Sequence, residues 1–182
     1  MSIAPVDDLS SYFAAAVRHA CERCAVERDP DVERYLGALL AGRAAAVESR
    51  GSIVLDLERA LSCAPELRAE ALRRVGDHAL YTRGFFGVAP SEDPVYLHCG
   101  TLAFTHTARL APARAPLFAA LAQRFSALSN VLAEVAVAQS LGAKTRDLVR
   151  LYDAWKRSRS PSALDAMTDA GVFPSDTNGG DA

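Results

Sequence analysis

The fold is decided by residues 118–135, FAALAQRFSALSNVLAEV, which carry the most regular hydrophobic pattern in the chain. Large apolar residues recur there at alternating spacings of three and four over about five helical turns. They are Phe118, Leu121, Phe125, Leu128, Leu132 and Val135. Such spacing is typical of a helix packed nearly parallel to its neighbours in a bundle. We therefore predict one long helix from about residue 116 to residue 141.

This long helix has two possible roles. Leu117 and Val131 widen its apolar stripe beyond the narrow seam of a coiled-coil dimer, which favours a helix buried within one chain. The same stripe could instead supply part of a homodimer interface. The candidate interface residues are Phe118, Leu121, Phe125 and Leu128. The sequence leaves both roles open.

Helical signals also lie on both sides of this stretch. Proline at a first helical position, or an acidic residue or serine just before it, marks the helix starts. The predicted starts lie near Asp7, Pro30, Ser52, Pro65, Asp93, Thr145 and Ser160. Alternating strand patterns are missing, and alanine, the strongest helix former, accounts for 35 of the 182 residues. We predict an all-α, single-domain helical bundle of about seven helices over residues 1–174, followed by a disordered tail over residues 175–182.

Composition restricts the possible function classes. The formal net charge of −2 argues against a dedicated binder of nucleic acid or of anionic membranes. Eighteen of the 20 basic residues are arginine, which we attribute to codon usage in a GC-rich genome. No apolar run approaches the length of a transmembrane helix, and the first residues show no export signal. We therefore expect a cytoplasmic protein whose four cysteines are reduced thiols.

The stretch His19-Ala20-Cys21-Glu22-Arg23-Cys24 is the most metal-like part of the chain. Cys21 and Cys24 lie three residues apart on a helix, where two thiolates could bind zinc. The candidate metal ligands are therefore His19, Cys21 and Cys24. However, His19 points away from Cys21 on a helix, and no second Cys-x-x-Cys pair supplies further ligands. We prefer small buried thiols as the interpretation and expect no cofactor, because free cysteine is among the most buried residue types.

Residues 76–87, GDHALYTRGFFG, are the least generic segment of the chain. Gly84 is predicted to end a helix as a left-handed cap. The paired phenylalanines of this glycine-flanked turn either plug one end of the bundle or line a pocket, because small and aromatic residues at a helix end make concavities. The candidate ligand-binding residues are His78, Tyr81, Phe85 and Phe86.

Two further residues of this segment carry structural predictions. Gly76 lies inside a helix, where glycine costs about 1 kcal/mol against alanine, so we expect another backbone to approach it closely. Asp77 is expected on the surface, paired with Arg73 or Arg74 one turn earlier.

Residues 76–86 carry the pattern Gly-Asp-x-Ala-Leu-Tyr-x-x-Gly-Phe-Phe, and Tyr152-x-x-Trp155 and Gly171-Val-Phe-Pro174 follow later. With these motifs the chain resembles a family of uncharacterised all-helical proteins from GC-rich bacteria, over most of residues 30–174. That resemblance implies a helical fold and no activity. A second resemblance is to haem oxygenases, which are all-helical and of this length. It would make His19 the proximal ligand and place the stretch from Ala79-Leu80-Tyr81 through Gly84 over the haem, although the acidic residue and tight glycine pattern of that helix are missing here.

Catalytic signatures are absent from the sequence, which contains no G-x-S-x-G, no phosphate-binding glycine loop and no H-E-x-x-H. We therefore predict a non-enzymatic helical interaction or adaptor protein that self-associates, as a homodimer, or docks on a protein partner. The alternative is a small-ligand- or haem-binding helical enzyme of the haem-oxygenase type. It would use His19 or the region from Tyr81 to Phe86.

Overall fold

The computed structural model describes residues 6–44, 51–141 and 148–174. Every regular element in these three ranges is a helix, which confirms the all-α class. Within them there are nine α-helices: α1 Val6–Arg23, α2 Pro30–Ala44, α3 Ile53–Ser62, α4 Pro65–Tyr81, α5 Asp93–Leu110, α6 Ala115–Gln123, α7 Phe125–Leu141, α8 Leu148–Ser158 and α9 Pro161–Asp169. A π-helical turn, Thr82–Phe86, follows α4, and a 3-10 turn, Pro112–Arg114, precedes α6. The described part of the chain contains no helix long and apolar enough to cross a membrane.

Local chemistry explains several of the helix starts. Pro30, Pro65 and Pro161 each occupy the first position of a helix, where the missing N–H of proline costs nothing. The Asp29 carboxylate accepts a hydrogen bond from the N–H of Asp31 at 2.9 Å, which caps α2. Ser160 caps α9 in the same way. The predicted start at Thr145 and the predicted tail lie outside the described residues.

The predicted long helix from residue 116 to residue 141 is in fact two helices. The break is at Arg124, whose φ of −104° and ψ of 14° leave helical geometry. The Arg124 guanidinium donates a hydrogen bond to the Glu27 carbonyl, so this residue ties the break to the connection between α1 and α2. The apolar register continues across the break. The count of nine described helices therefore corrects the expected count of about seven.

One large hydrophobic core surrounds α7, which contacts α1, α4, α5, α6 and the π-helical turn. The four candidate interface residues, Phe118, Leu121, Phe125 and Leu128, are each at most 1% exposed. They belong to the core of a single chain and contribute no accessible surface. Of the two roles open to this stretch, the structure therefore shows the core role, and the prediction that these four residues form an interface is wrong.

The C-terminal helices form a second, smaller core. Trp155 of α8 and Met167 of α9 pack there with Val137, which lies near the end of α7. Glu134, one turn earlier in α7, joins the two cores. Its buried carboxylate accepts hydrogen bonds from the Ser160 and Ser162 hydroxyls, at 2.5 Å each. The α8–α9 pair is thus held to α7 by apolar contacts and by the Glu134 carboxylate at the first turn of α9, and to α1 by the ion pair between Arg23 and Asp165 at 2.6 Å.

Candidate functional site: an arginine cleft beside an aromatic turn

The rings of the aromatic turn, defined as Tyr81, Phe85 and Phe86, pack on one another, and Tyr81 and Phe85 also pack against the main core. Phe85 stacks on Tyr81 with ring centroids 5.3 Å apart and an interplanar angle of 11°, and Phe86 meets both rings edge-on. Tyr81 is 6% exposed, whereas Phe86 is 53% exposed. His78 is half-buried, and its Nδ1 lies 3.4 Å from the Thr82 hydroxyl. This geometry resembles a plug more closely than the lining of a pocket.

Close approach explains the glycines near this turn, although not in the way the sequence suggested. A Cβ on Gly84 would lie 2.8 Å from the Cβ of Leu132, so Gly84 is required where the turn meets α7. The left-handed residue is Gly87, with φ of 77°, and the prediction that Gly84 is that cap is wrong. A Cβ on Gly76 would lie 2.6 Å from the Phe104 ring, so a side chain rather than a backbone approaches it.

The candidate metal ligands do not converge on one point. The His19 side chain is 71% exposed and lies 3.9 Å from Glu22, whereas Cys21 is buried. Burial raises the pKa of the Cys21 thiol and raises that of Cys24 to about 11, which disfavours the thiolates that zinc requires. Among the described residues there is no group of three histidine, cysteine or carboxylate side chains placed to hold a metal ion.

The most distinctive surface feature is a cleft with two adjoining lobes, which we name the arginine cleft after Arg34, Arg43, Arg73 and Arg114. Its Asp77 lobe has a volume of about 450 Å³ and is bordered by α2, by Arg73 and Asp77 of α4, and by Arg114 of the 3-10 turn. Its Asp31 lobe has a volume of about 420 Å³ and is bordered by α2, the 3-10 turn and the start of α6. Both volumes fall in the range of small-ligand sites.

Three residues belong to both lobes: Tyr35, Ala38 and Arg114. Tyr35 and Ala38 lie on one face of α2, and the small side chain of Ala38 leaves room above the helix. Arg34 borders only the Asp31 lobe, and Arg43 borders only the Asp77 lobe. The two lobes are therefore parts of one groove that runs along α2.

A buried carboxylate lies at the base of the Asp77 lobe. Asp77 is 5% exposed, which corrects the expectation of a surface position. Tyr35 donates a hydrogen bond to its Oδ1 at 2.5 Å, and Arg73 donates one to its Oδ2. Burial raises the pKa of Asp77 above the ordinary value of 3.8, because the hydrogen bond from Tyr35 and the charges of Arg73 and Arg43 offset it only in part.

Arg73 is fully engaged within the protein. It donates two hydrogen bonds to Glu70, at 2.7 Å and 2.6 Å, in addition to the bond to Asp77. Those contacts hold the pKa of Glu70 at about 2 and raise the pKa of Arg73. Arg73 therefore positions Asp77 and has little capacity left for an external ligand.

Arg43 and Arg114 are held differently from Arg73. The Arg43 guanidinium lies 5.7 Å from the centre of the Tyr81 ring, which connects the cleft to the aromatic turn. The Arg114 guanidinium lies 5.8 Å from the Tyr35 ring and 5.2 Å from the Phe118 ring. Neither forms an ion pair with a carboxylate of the described residues. Aromatic rings thus orient both cations without neutralising them.

The cleft concentrates positive charge on a protein whose net charge is −2. Four arginines border the two lobes, against the two aspartates Asp31 and Asp77. Arg34 pairs with Asp31 at 3.2 Å, but both side chains are more than two-thirds exposed, so that pair is weak. The arrangement is suited to binding an anionic group.

Comparison of the chain with known protein families, with curated proteins and with solved structures finds no match.

No motif in the sequence indicates the arginine cleft. Its residues come from α2, from α4 and from the 3-10 turn, and no single stretch contains them. One local signal was present: Tyr35, Ala38 and Gly42 share a helix face, with Arg34 and Arg43 on its two sides. This signal was not recognised, because the frequent arginines of the chain were attributed to codon usage.

Proposed function

We propose that this protein is a non-enzymatic helical interaction protein that binds an acidic segment of a partner protein in the arginine cleft. The observation that carries the proposal is the pair Arg43 and Arg114. Each guanidinium lies within 6 Å of an aromatic ring centre and has no carboxylate partner among the described residues, so its N–H groups can donate to an external anion. Those donors match the geometry of a carboxylate, which accepts two parallel hydrogen bonds.

Two other features support an interaction role. The cleft is open and elongated, which suits an extended segment rather than an enclosed small molecule. The buried carboxylates of Asp77 and Glu134 are paired within the chain, with Arg73 and Arg23 respectively, so neither is left to act on a substrate. The net charge of −2 makes a long polyanion a poor partner, because the rest of the surface would repel it.

A haem-binding enzyme was the alternative from the sequence. His19, its proposed iron ligand, borders a depression of about 140 Å³, which is below the usual range of small-molecule sites. The described residues provide no observation that favours this alternative.

Self-association remains a prediction. Because Phe118, Leu121, Phe125 and Leu128 lie in the core, a homodimer would have to use another surface. Native mass spectrometry of the full chain tests this: multiples of the sequence mass are expected, and monomer alone at micromolar concentration would contradict it. The same spectrum reports any bound cofactor.

The proposed binding is tested with fluorescently labelled hexaglutamate as the probe, measured by anisotropy at low salt. The double variant Arg43→Gln/Arg114→Gln should bind about tenfold more weakly or worse, since each substitution removes charge-assisted hydrogen bonds. The matched control is Arg59→Gln/Arg109→Gln, which removes the same charge from two exposed arginines outside the lobes. The control should keep its affinity within about twofold.

Three outcomes would contradict the proposal. The peptide could fail to bind the wild-type protein, or the two double variants could weaken binding equally, which would indicate unspecific attraction. Displacement of the peptide by an equal concentration of inorganic phosphate would make a small anion the ligand and not a partner protein.

A further inference from the structure

We infer that the exposed ring of Phe86 extends the arginine cleft, so that the acidic segment of the partner also carries an aromatic residue within three positions of the carboxylate that binds Arg43. This inference rests on the proposed function, because it specifies the partner of the same site. It starts from the Tyr81 ring, against which Arg43 and Phe86 both lie.

The Tyr81 ring limits how far the cleft can be from Phe86. The Arg43 guanidinium lies 5.7 Å from the centre of that ring, and the centre of the Phe86 ring lies 5.2 Å from it. The guanidinium carbon and the Phe86 ring centre are therefore at most about 10.9 Å apart. An extended chain advances about 3.3 Å per residue, so side chains no more than three positions apart can reach both groups.

Arg43 and Phe86 are both accessible, whereas the ring that they share is not. Tyr81 is 6% exposed, Phe86 is 53% exposed, and Arg43 borders the open Asp77 lobe. A cation and an apolar ring thus lie close together on one buried support. The side chains that complement such a pair are a carboxylate and a second aromatic ring.

The backbone on both sides of Phe86 is fixed by close contacts. Gly84 packs against α7, where an added Cβ would lie 2.9 Å from a backbone carbonyl oxygen. The Gly87 N–H donates a hydrogen bond to the Thr82 carbonyl at 2.9 Å, which closes the π-helical turn directly after Phe86. The Phe86 ring also rests edge-on against the two other rings of the aromatic turn. A partner that packs on this ring therefore loses little binding free energy to the ordering of the side chain.

Phe173 shows why exposure alone does not indicate a binding role. Its side chain is 77% exposed, more than that of Phe86, but it has no ring contact within the described part of the chain. It follows α9 and belongs to no helix. Single exposed apolar side chains of this kind are common on protein surfaces. Phe173 is therefore the matched control for Phe86.

The test compares two fluorescently labelled peptides of equal charge and with blocked ends, Glu-Glu-Phe-Glu-Glu-Phe and Glu-Glu-Ala-Glu-Glu-Ala. Every glutamate of the first peptide lies within two positions of a phenylalanine. In anisotropy titrations at low salt, we expect the wild-type protein to bind the phenylalanine peptide about fivefold more tightly, as one additional aromatic pair would provide. Phe86→Ala should reduce this preference to less than about twofold, and Phe173→Ala should keep it.

A second measurement uses the wild-type protein only. Isotope-filtered NOE spectra of the labelled protein with the unlabelled phenylalanine peptide report which rings are in contact. We expect NOEs between the ring protons of the peptide and those of Phe86, and none to Phe173. NOEs to Phe173 without any to Phe86 would contradict the inference.

The outcomes separate this inference from the proposed function. If the two peptides bind equally tightly and Arg43→Gln/Arg114→Gln weakens both, the cleft binds acidic segments without Phe86, and only this inference is wrong. It is also wrong if Phe86→Ala keeps the preference, or if Phe173→Ala reduces it to the same extent. If neither these peptides nor hexaglutamate bind, the proposed function fails.

Discussion

Two buried carboxylates, Glu134 and Asp77, show how differently this chain uses the same chemical group. Glu134 is 1% exposed and accepts hydrogen bonds from Ser160, Ser162 and Arg23. Asp77 is 5% exposed and accepts one bond from Tyr35 and one from Arg73. Burial raises the pKa of both groups, but the hydrogen bonds to Glu134 outweigh burial and bring its pKa below 4.5, whereas the pKa of Asp77 stays raised.

The difference indicates which carboxylate is structural and which belongs to a binding surface. Glu134 lies where the two hydrophobic cores meet, and its acceptors are used within the chain. Asp77 lies at the base of an open lobe, beside Arg43, a cation that has no carboxylate partner in the described residues. A fully satisfied ion pair holds a fold together, whereas an excess of oriented cations favours an external anion.

The largest loss of stability is expected from Glu134→Ala. Removing this carboxylate leaves Arg23 without its buried partner and the first turn of α9 without its acceptor. Loss of one member of a buried ion pair costs about 3–5 kcal/mol of the free energy of unfolding, which urea denaturation measures. Ser162→Ala removes only one donor and should cost about 1 kcal/mol. Equal losses in the two variants would show that Glu134 does not join the cores.

Asp77→Asn should cost less, about 2 kcal/mol in the same experiment. The amide keeps the size of the side chain and one acceptor, and Arg73 retains its two hydrogen bonds to Glu70. The neutral side chain also avoids the cost of burying a charge. A loss as large as that of Glu134→Ala would remove the distinction between the two sites.

The pH dependence of stability should have opposite signs at the two sites. Because the folded pKa of Asp77 is raised, its contribution should lower stability as pH rises from about 3.8 through the folded value. Because the folded pKa of Glu134 is lowered, its contribution should be present above pH 4.5 and lost as pH falls through the folded value.

This is measured by urea unfolding of the wild type, Asp77→Asn and Glu134→Gln between about pH 3 and pH 7. The difference between the wild type and Asp77→Asn should decrease with rising pH, by at most about 1.4 kcal/mol per pH unit, and that for Glu134→Gln should increase. The same sign for both differences would contradict the assigned environments.

A smaller effect on stability than that of Glu134→Ala is expected for Arg43→Gln/Arg114→Gln. Arg43 lies over one ring and Arg114 over two, and cation–π contacts at accessible positions contribute about 0.5–1 kcal/mol each, so the loss should not exceed about 3 kcal/mol. Thermal denaturation measures this loss, with Arg59→Gln/Arg109→Gln as the control variant. Unfolding of the first variant alone would make Arg43 and Arg114 part of the fold instead of a binding surface.

Much of the fold follows from local patterns, because helix starts and apolar stripes depend on residues that are close together in the sequence. Pro30, Pro65 and Pro161 start helices as their chemistry requires. The break at Arg124 was not predictable, since the apolar spacing passes through it unchanged and the contact that Arg124 makes there is with Glu27, 97 residues away. The left-handed cap was assigned to Gly84 instead of Gly87 for a similar reason. Gly84 is required by its close contact with Leu132 of α7, which is distant in sequence.

The candidate site was largely hidden from the sequence. Asp77 lies beside a histidine in a helix, and nothing local indicates that Tyr35, 42 residues away, buries it. Arg114 reaches the cleft only because the 3-10 turn brings it over Tyr35. The cleft depends on how α2, α4 and that turn pack, and a single sequence gives no direct measure of their packing.

The most direct test of the proposed binding is an NMR titration of the arginine Nε–Hε groups of the full chain with hexaglutamate. Signals assigned through the Arg→Gln variants allow each guanidinium to be followed separately. We expect the Arg43 and Arg114 signals to shift together and to saturate at one peptide per chain, while the Arg59 signal stays unchanged. Equal, unsaturated shifts of all exposed arginines, or no shift at Arg43 and Arg114, would contradict it.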